Sequence, residues 1–321
     1  MIDKIITTLK ASRKVFVASH VRPDGDAVGA LLAMGQVVNA MDVPVAVYNE
    51  SPIPAVYRFL PGVDHVLHDP AVCDDCDTAV ILDCGSFDRV GDAVLAKVYT
   101  MPMIINIDHH VTNKGYGHLP WVAAAACSTS ELVYDLIEAA GIELNPQMAW
   151  ALYTGIVTDT GSFRFSNTNQ KAFAICERLV GLGVDPSEVS RHVYGRYSMG
   201  RIKLLNLALD AIEISANGKI SMMVLTRQML NKTGARPEDA EGLINYARRI
   251  EDVRLAALIQ EDLNGNGIGG FQVSLRSNGQ VDVAAIATRY GGGGHPDAAG
   301  FSGKGPIADI KAQIMALATE I

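Results

Sequence analysis

In Ile104-Ile105-Asn106-Ile107-Asp108-His109-His110, three aliphatic residues within a run of four lead straight into an acid and two imidazoles. A short apolar run closed by polar groups reads as a buried strand. Neighbouring side chains on an extended chain point to opposite faces, so His109 and His110 cannot both enter one core. Something polar must therefore wait where this strand stops. For Asp-His-His alone, a buried imidazole satisfied by Asp108 is as good a reading as a functional site, so the rest of the chain has to decide.

The same plan recurs upstream. Strands are expected over 14–19, 43–48, 78–82 and 104–107, the first ending at His20, the third at Asp83 and the fourth at Asp108. Helices are expected over 3–11 and 27–41. Ser128 stands three residues before Glu131, a capping-box pattern that opens a helix through 138, and Pro146 opens another through 156 or 157. Asp159-Thr160-Gly161 closes that helix, and one more covers 168–182. Strands alternating with helices imply a parallel sheet, and ligands of such sheets gather beyond the carboxyl ends of the strands. His20, Asp83 and Asp108 all fall at that end.

Residues 187–211 read as helical, and their first part as a connector. The chain is thus expected to be α/β, with a parallel-sheet N-terminal domain over 1–186, a linker helix over 187–204 and a smaller α/β domain over 205–321. In the latter, strands are expected over 219–225, 252–259 and 271–276, and a helix over 281–290. Gly291-Gly292-Gly293-Gly294-His295 and Ala298-Ala299-Gly300-Phe301 follow it.

With 321 residues, 49% of them hydrophobic, the chain has material for two cores. Its longest apolar runs are far too short to span a bilayer, and its first residues lack the plan of a signal peptide. Five cysteines without framework spacing suit a reducing cytoplasm. The Cys73-Asp-Asp-Cys76 pair has no second CxxC to complete a zinc site and is expected as a surface turn. A net charge of −8 argues against a long track on duplex nucleic acid, though not against a small phosphorylated ligand.

The polar groups collected at strand and helix ends are His20, Asp24, Asp26, Asp83, Asp108, His109, His110 and Asp159. Clustered carboxylates repel one another and are costly to bury without a cation. Oxygen donors with a minority of imidazoles suit Mn²⁺ or Mg²⁺. So many groups exceed the needs of one octahedral ion, and two ions sharing a carboxylate is the economical arrangement. Two metals about 3.5–4 Å apart form a clamp for in-line attack on phosphorus. The glycine run invites a phosphate, since glycines let backbone N–H groups approach closely, and Arg276 and His295 add donors. A tight packing turn is the competing reading of that run. Arg22, beside the acids, either touches phosphate or pairs with a carboxylate. Tyr116 and Phe163 near the motifs are expected mainly as core.

His20-x-x-x-Asp24-x-Asp26, Asp83, Asp108-His109-His110 and Asp159 together resemble the four motifs of the DHH phosphoesterases. The glycine-rich segment resembles the C-terminal domain found in the RecJ-like and nanoRNase-like branch of that family. The resemblance implies one ion held by His20, Asp24 and Asp83, and another held by Asp26, Asp83, His109 and Asp159. It implies Asp108 as an orienting carboxylate and His110 as a donor or general acid toward the leaving oxygen. In the second domain it implies a grip on a terminal nucleotide, for which Arg276, Ser274, Gly292, Gly293, Gly294 and His295 are the candidate residues, with Arg22 a further candidate contact.

The expected function is hydrolysis of short single-stranded RNA or DNA to nucleoside monophosphates, with Mn²⁺ ahead of Mg²⁺ as the metal. Duplex and membrane are not expected partners, and a homodimer is compatible with the sequence. The resemblance also implies phosphatase action on 3′-phosphoadenosine 5′-phosphate. Three rivals are a pyrophosphatase, whose second domain is of another, more basic type, a phosphodiesterase of linear or cyclic dinucleotides such as pApA and pGpG, and a non-catalytic nucleotide- or RNA-binding module.

Overall fold

Four short aliphatic runs become the centre of a parallel sheet in the computed structural model of the chain, which describes residues 1–195, 197–261 and 270–321. The chain divides into two compact units, Met1–Gly195 and Arg196–Ile321, each built on its own sheet. In the first, α1 (Ile2–Ala11) leads into β1 (Val15–Ser19), α2 (Gly25–Ala40), β2 (Val45–Tyr48) and β3 (Thr78–Leu82). Then come α3 (Asp92–Tyr99), β4 (Met103–Asp108), β5 (Leu119–Val122), α4 (Thr129–Ala140), α5 (Pro146–Asp159), α6 (Gln170–Gly181) and α7 (Pro186–Val193).

These strands run parallel in the order β2-β1-β3-β4-β5. The chain leaves β1 on one side for β2 and on the other for β3, so the order reverses between β1 and β3. That reversal opens a crevice at the carboxyl ends. The register sets Ser19 beside Leu82, and Leu82 beside Ile107. His20, Asp83 and Asp108 therefore leave the sheet side by side. Alternate strand residues face alternate cores: Val15 and Val17 join one with α1, α2, α4 and α5, while Phe16 and Ala18 join the other with α3. Burial of both faces explains why the strands read as near-continuous aliphatic runs.

α2 and α5 cross backbone to backbone. A Cβ at Gly29 would lie 2.4 Å from Ala151 O and 3.0 Å from Gly155 N. This contact brings the start of α2, with Asp24 and Asp26, to the end of α5, with Asp159. Gly29→Ala is expected to cost about 1–3 kcal/mol through overpacking against a backbone carbonyl. A lowered urea midpoint at unchanged slope is the measurement, and an unchanged midpoint would refute it.

The second unit contains α8 (Met199–Asp210), β6 (Glu213–Ile214), β7 (Ile220–Leu225), α9 (Arg227–Thr233), α10 (Ile244–Arg248), β8 (Leu255–Glu261) and β9 (Gly270–Ser277). It ends with α11 (Val283–Arg289), β10 (Gly293–His295), β11 (Ala298–Lys304) and α12 (Ile307–Ala316). Its mixed sheet runs β10-β11-β9-β8-β7-β6, with β7 and β8 parallel and the other pairs antiparallel. Two helices pack on one face, α11 and α12, and the opposite face is covered by α8, α9 and α10.

Two expectations need correction. The helix read through 187–204 is not continuous: α7 stops at Val193 and α8 begins at Met199, where Ser198 Oγ accepts from Arg201 N–H at 2.9 Å. Within the glycine run, Gly293–His295 form β10, the first strand of a hairpin with β11, and Gly291 and Gly292 join it to α11. Cys73 is core rather than surface, 2% exposed, and burial raises both its thiol and that of Cys76, the latter to about 11. Among the described residues no helix is long and apolar enough to cross a membrane.

Candidate active site

Beyond the carboxyl ends of β1, β3 and β4 the side chains form two sets that share one carboxylate. His20 Nε2 lies 3.9 Å from Asp24 Oδ2 and 3.6 Å from Asp83 Oδ2. His109 Nε2 lies 3.6 Å from Asp83 Oδ1, 3.6 Å from Asp159 Oδ2 and 3.9 Å from Asp26 Oδ2. Asp83 thus turns one oxygen to each set. Within His20, Asp24 and Asp83, and within Asp26, His109 and Asp159, the donor atoms all lie within 4.8 Å of one another.

Each donor is aimed by the backbone around it. His20 Nδ1 lies 2.9 Å from Val21 O and His109 Nδ1 lies 3.4 Å from Ala126 O, which puts the ring proton on Nδ1 and leaves Nε2 as the ligating atom. Asp24 caps α2, its Oδ1 accepting from Asp26 N–H and Ala27 N–H, so Oδ2 is left for His20. Asp26 accepts from Thr129 N–H at 2.6 Å and Ser130 N–H at 2.9 Å, the first amides of α4. Thr129 Oγ1 donates to Asp83 Oδ1 at 2.9 Å. Asn167 Nδ2 donates to Asp159 Oδ2 at 3.0 Å and to Cys127 O at 2.7 Å. Asp83 itself holds a left-handed backbone, φ 56°, a conformation acids tolerate better than most residues.

The cluster is nearly dry: Asp26, Asp83, Asp108, His20 and His109 are all buried, whereas the Asp24 side chain is 51% exposed. Burial, with the charge of Asp83 next, pushes the Asp26 carboxyl up to about 7. Burial and Asp26 likewise raise Asp159 well above the carboxylate range. Burial would also raise Asp83, but His20, His110 and His109 around it hold it below its ordinary value. Burial opposes protonation of His109 and His110, yet the acids beside them win and raise both. The protein alone keeps protons where its acids crowd, and a divalent cation would replace them. Carboxylates in the majority, imidazoles in the minority and no thiolate in either set fit a hard cation.

His110 stands apart from these two sets. Its Nδ1 lies 2.7 Å from Asp108 Oδ1 and 3.6 Å from Asp83 Oδ1, and its side chain is 13% exposed. Arg22 is exposed, with φ 55° and its backbone N–H donated to Ser51 Oγ at 2.8 Å. Thr129, Ser130, Asn113 and Asn167 belong to the site although sequence reasoning passed over them. The available signal was the Ser128 cap, which accepts from Glu131 N–H at 3.1 Å and fixes the start of α4.

The remaining expected residues lie in the second unit. Register places His295, Ala298 and Arg276 on one rung and Gly293, Gly300 and Ser274 on another two residues away. Ser274, Arg276 and His295 therefore share a face, floored by residues with little or no side chain. Gly292 and Gly294 are consumed by packing: a Cβ on the first would lie 2.1 Å from Gly300 O, and on the second 2.5 Å from Ala298 O. Tyr116 is partly buried against the core on the α3 side of the sheet, its hydroxyl donating to Cys84 O at 3.0 Å, and Phe163 stacks on Phe173 with centroids 4.8 Å apart.

Residues 14–156 match the DHH family, N-terminal domain, and residues 219–320 match the DHHA1 domain. A relative from Thermus thermophilus, named bifunctional oligoribonuclease and PAP phosphatase NrnA, is 31% identical over 291 residues, 91% of this chain and 84% of its own. The chain belongs to the DHH family. A second DHH relative, of the same name and from Bacillus subtilis, is 29% identical over 94% of this chain and 93% of its own. Among solved structures, an exopolyphosphatase-related protein from Bacteroides fragilis superposes with a TM-score of 0.86 at 27% identity, covering 98% of this chain and 95% of that one. The expected DHH family and its two-domain α/β architecture agree with these findings.

Proposed function

We propose that the chain is a divalent-cation-dependent phosphoesterase that hydrolyses short single-stranded oligonucleotides to nucleoside 5′-monophosphates. The observation that carries this reading is Asp83, whose two oxygens face separate sets of histidine and aspartate. His20, Asp24 and Asp83 would hold one cation, and Asp26, Asp83, His109 and Asp159 a second, with Mn²⁺ ahead of Mg²⁺. Bound there, the cations supply Lewis-acid stabilisation of the negative charge on a phosphodiester in attack. Asp108 accepts a hydrogen bond from His110 Nδ1–H, so the Nε2–H of the imidazolium would give its proton to the leaving oxygen as water adds to phosphorus and the P–O bond to that oxygen breaks.

The second unit would bind the nucleotide. Arg276, Ser274 and His295 are the phosphate donors, Gly293 lies beside them, and Gly292 and Gly294 keep the hairpin closed beneath. Arg22 offers a further cation beside the acids. Residues 1–186 act as the catalytic domain and 205–321 as the substrate-binding domain. The names of the relatives support oligoribonucleotides as the substrate class and a second activity on PAP. The acidic balance, −8 overall, favours single strands over duplex, and five free thiols suit the cytoplasm.

The test is a 5′-labelled RNA trimer incubated with Mn²⁺, beside pApA, pGpG, PAP, pyrophosphate and a tetramer. Mononucleotide release that EDTA stops is the expected result. Failure to cleave every oligonucleotide, or phosphate release from pyrophosphate alone, would remove the reading. Turnover confined to the dinucleotides would narrow it to messenger breakdown.

A further inference from the structure

Behind His110 lies a chain of side-chain amides that none of the roles above uses. Asn113 Oδ1 accepts from Gly115 N–H at 2.8 Å, so the opposite end of this amide is its NH₂ group. That group lies 2.6 Å from Asp108 Oδ2, 2.9 Å from Asn106 Oδ1 and 3.1 Å from Cys84 O, all of them acceptors. Asn106 is wholly buried in β4, its own Nδ2 directed at Ile81 O at 3.4 Å. Asp108 is wholly buried too. Its Oδ2 is held by Asn113, while Oδ1 accepts from His109 N–H at 2.9 Å and faces His110 Nδ1 at 2.7 Å. A carboxylate pinned at one oxygen cannot rotate about its Cβ–Cγ bond, so the plane and direction of the hydrogen bond it offers are set from behind.

We propose that Asn113 is a positioning residue that acts through Asp108 to set the ring of His110, so that Nε2 faces the reacting phosphate. This rests on the phosphoesterase reading above. Orientation supported by a second layer of hydrogen bonds is a recurrent requirement of such sites.

Two variants separate positioning from packing. Asn113→Asp keeps the acceptor that the Gly115 turn needs but sets a carboxylate oxygen against Asp108, where a donor is required. Asn113→Ala removes the amide without adding charge. Both are expected to lower kcat on an RNA trimer by about 10²-fold, with KM and the dissociation constant for Mn²⁺ alone within about twofold of wild type. A readout independent of turnover is the His110 Nδ1–H resonance in ¹H–¹⁵N spectra. It is expected downfield in the wild type and displaced upfield in both variants. An unchanged kcat in the isosteric Asn113→Asp, a kcat loss matched by an equal loss of Mn²⁺ affinity, or an unmoved resonance would each overturn the proposal. A wild-type protein that cleaves no oligonucleotide would sink the functional reading instead, and the resonance would still decide the role of Asn113.

Discussion

Replacing Asp83 by asparagine is expected to lower kcat/KM on a short oligonucleotide by about 10³-fold or more, the scale seen when an electrostatic element aimed at developing charge is removed. The side chain keeps its shape, and its oxygen can still accept from Thr129 Oγ1. What disappears is the charge that both His–Asp sets share, and an NH₂ group is turned toward an imidazole instead. Asp24→Asn is the companion variant, because it keeps the capping oxygen but removes charge from one set alone. Its loss is expected to be the smaller of the two. Circular dichroism and the unfolding midpoint establish that the Asp83 variant is folded. Retention of more than about a tenth of the activity would show that the sets work independently.

The second large effect concerns pH. The metal-free fold binds protons that the unfolded chain releases, since burial pushes Asp26 from 3.8 to about 7 and raises Asp159 as well. His109 and His110 are raised by their acidic neighbours against the opposing effect of burial. A group that holds its proton more tightly when folded contributes less stability as pH climbs through that window. The metal-free protein is therefore expected to lose stability from about pH 4 to about pH 7 on account of Asp26. Asp83 has the opposite sign: its folded value is depressed, so its contribution is present above 3.8 and lost in more acid solution.

A bound cation takes the place of those protons, so Mn²⁺ binding should release protons at neutral pH. The rise in Tm caused by Mn²⁺ should accordingly grow from about pH 6 to about pH 8. At free Mn²⁺ about 100 times the Kd, each site adds about 2.7 kcal/mol. For a domain of this size that corresponds to a shift on the order of 5–10 °C. Thermal melts with Mn²⁺ or EDTA across the range check it, and a shift that is flat or falls with pH would contradict it.

The legible part of the site was the part that a switch from apolar to polar marks locally. His20, Asp83 and Asp108 each end an aliphatic run, and the observed strands β1, β3 and β4 stop within one residue of those positions. Asp159 was found as well, although α5 runs to it rather than closing two or three residues earlier. Hidden from the sequence were groups whose partners lie far away. Thr129 meets Asp26 across 103 positions, and although the Ser128 cap marks where α4 starts, nothing around either residue announces their pairing. Asn167 and Asn113 lie only eight and five positions from Asp159 and Asp108, but they sit in polar turns of ordinary composition that do not announce these bonds. β10 and β11 were obscured for another reason. Their glycines and alanines lack the β-branched alternation that signals a strand, and close backbone packing rather than side-chain burial selects them. β5 carries Pro120 in a run of four, a residue that argues against a central strand and is accommodated at this sheet's edge.

The register of β1, β3 and β4 limits how sequences of this architecture can drift. Because His20, Asp83 and Asp108 occupy matching places one step past paired residues, inserting or deleting a single amino acid within any of these strands would send its terminal polar group to the reverse surface of the sheet.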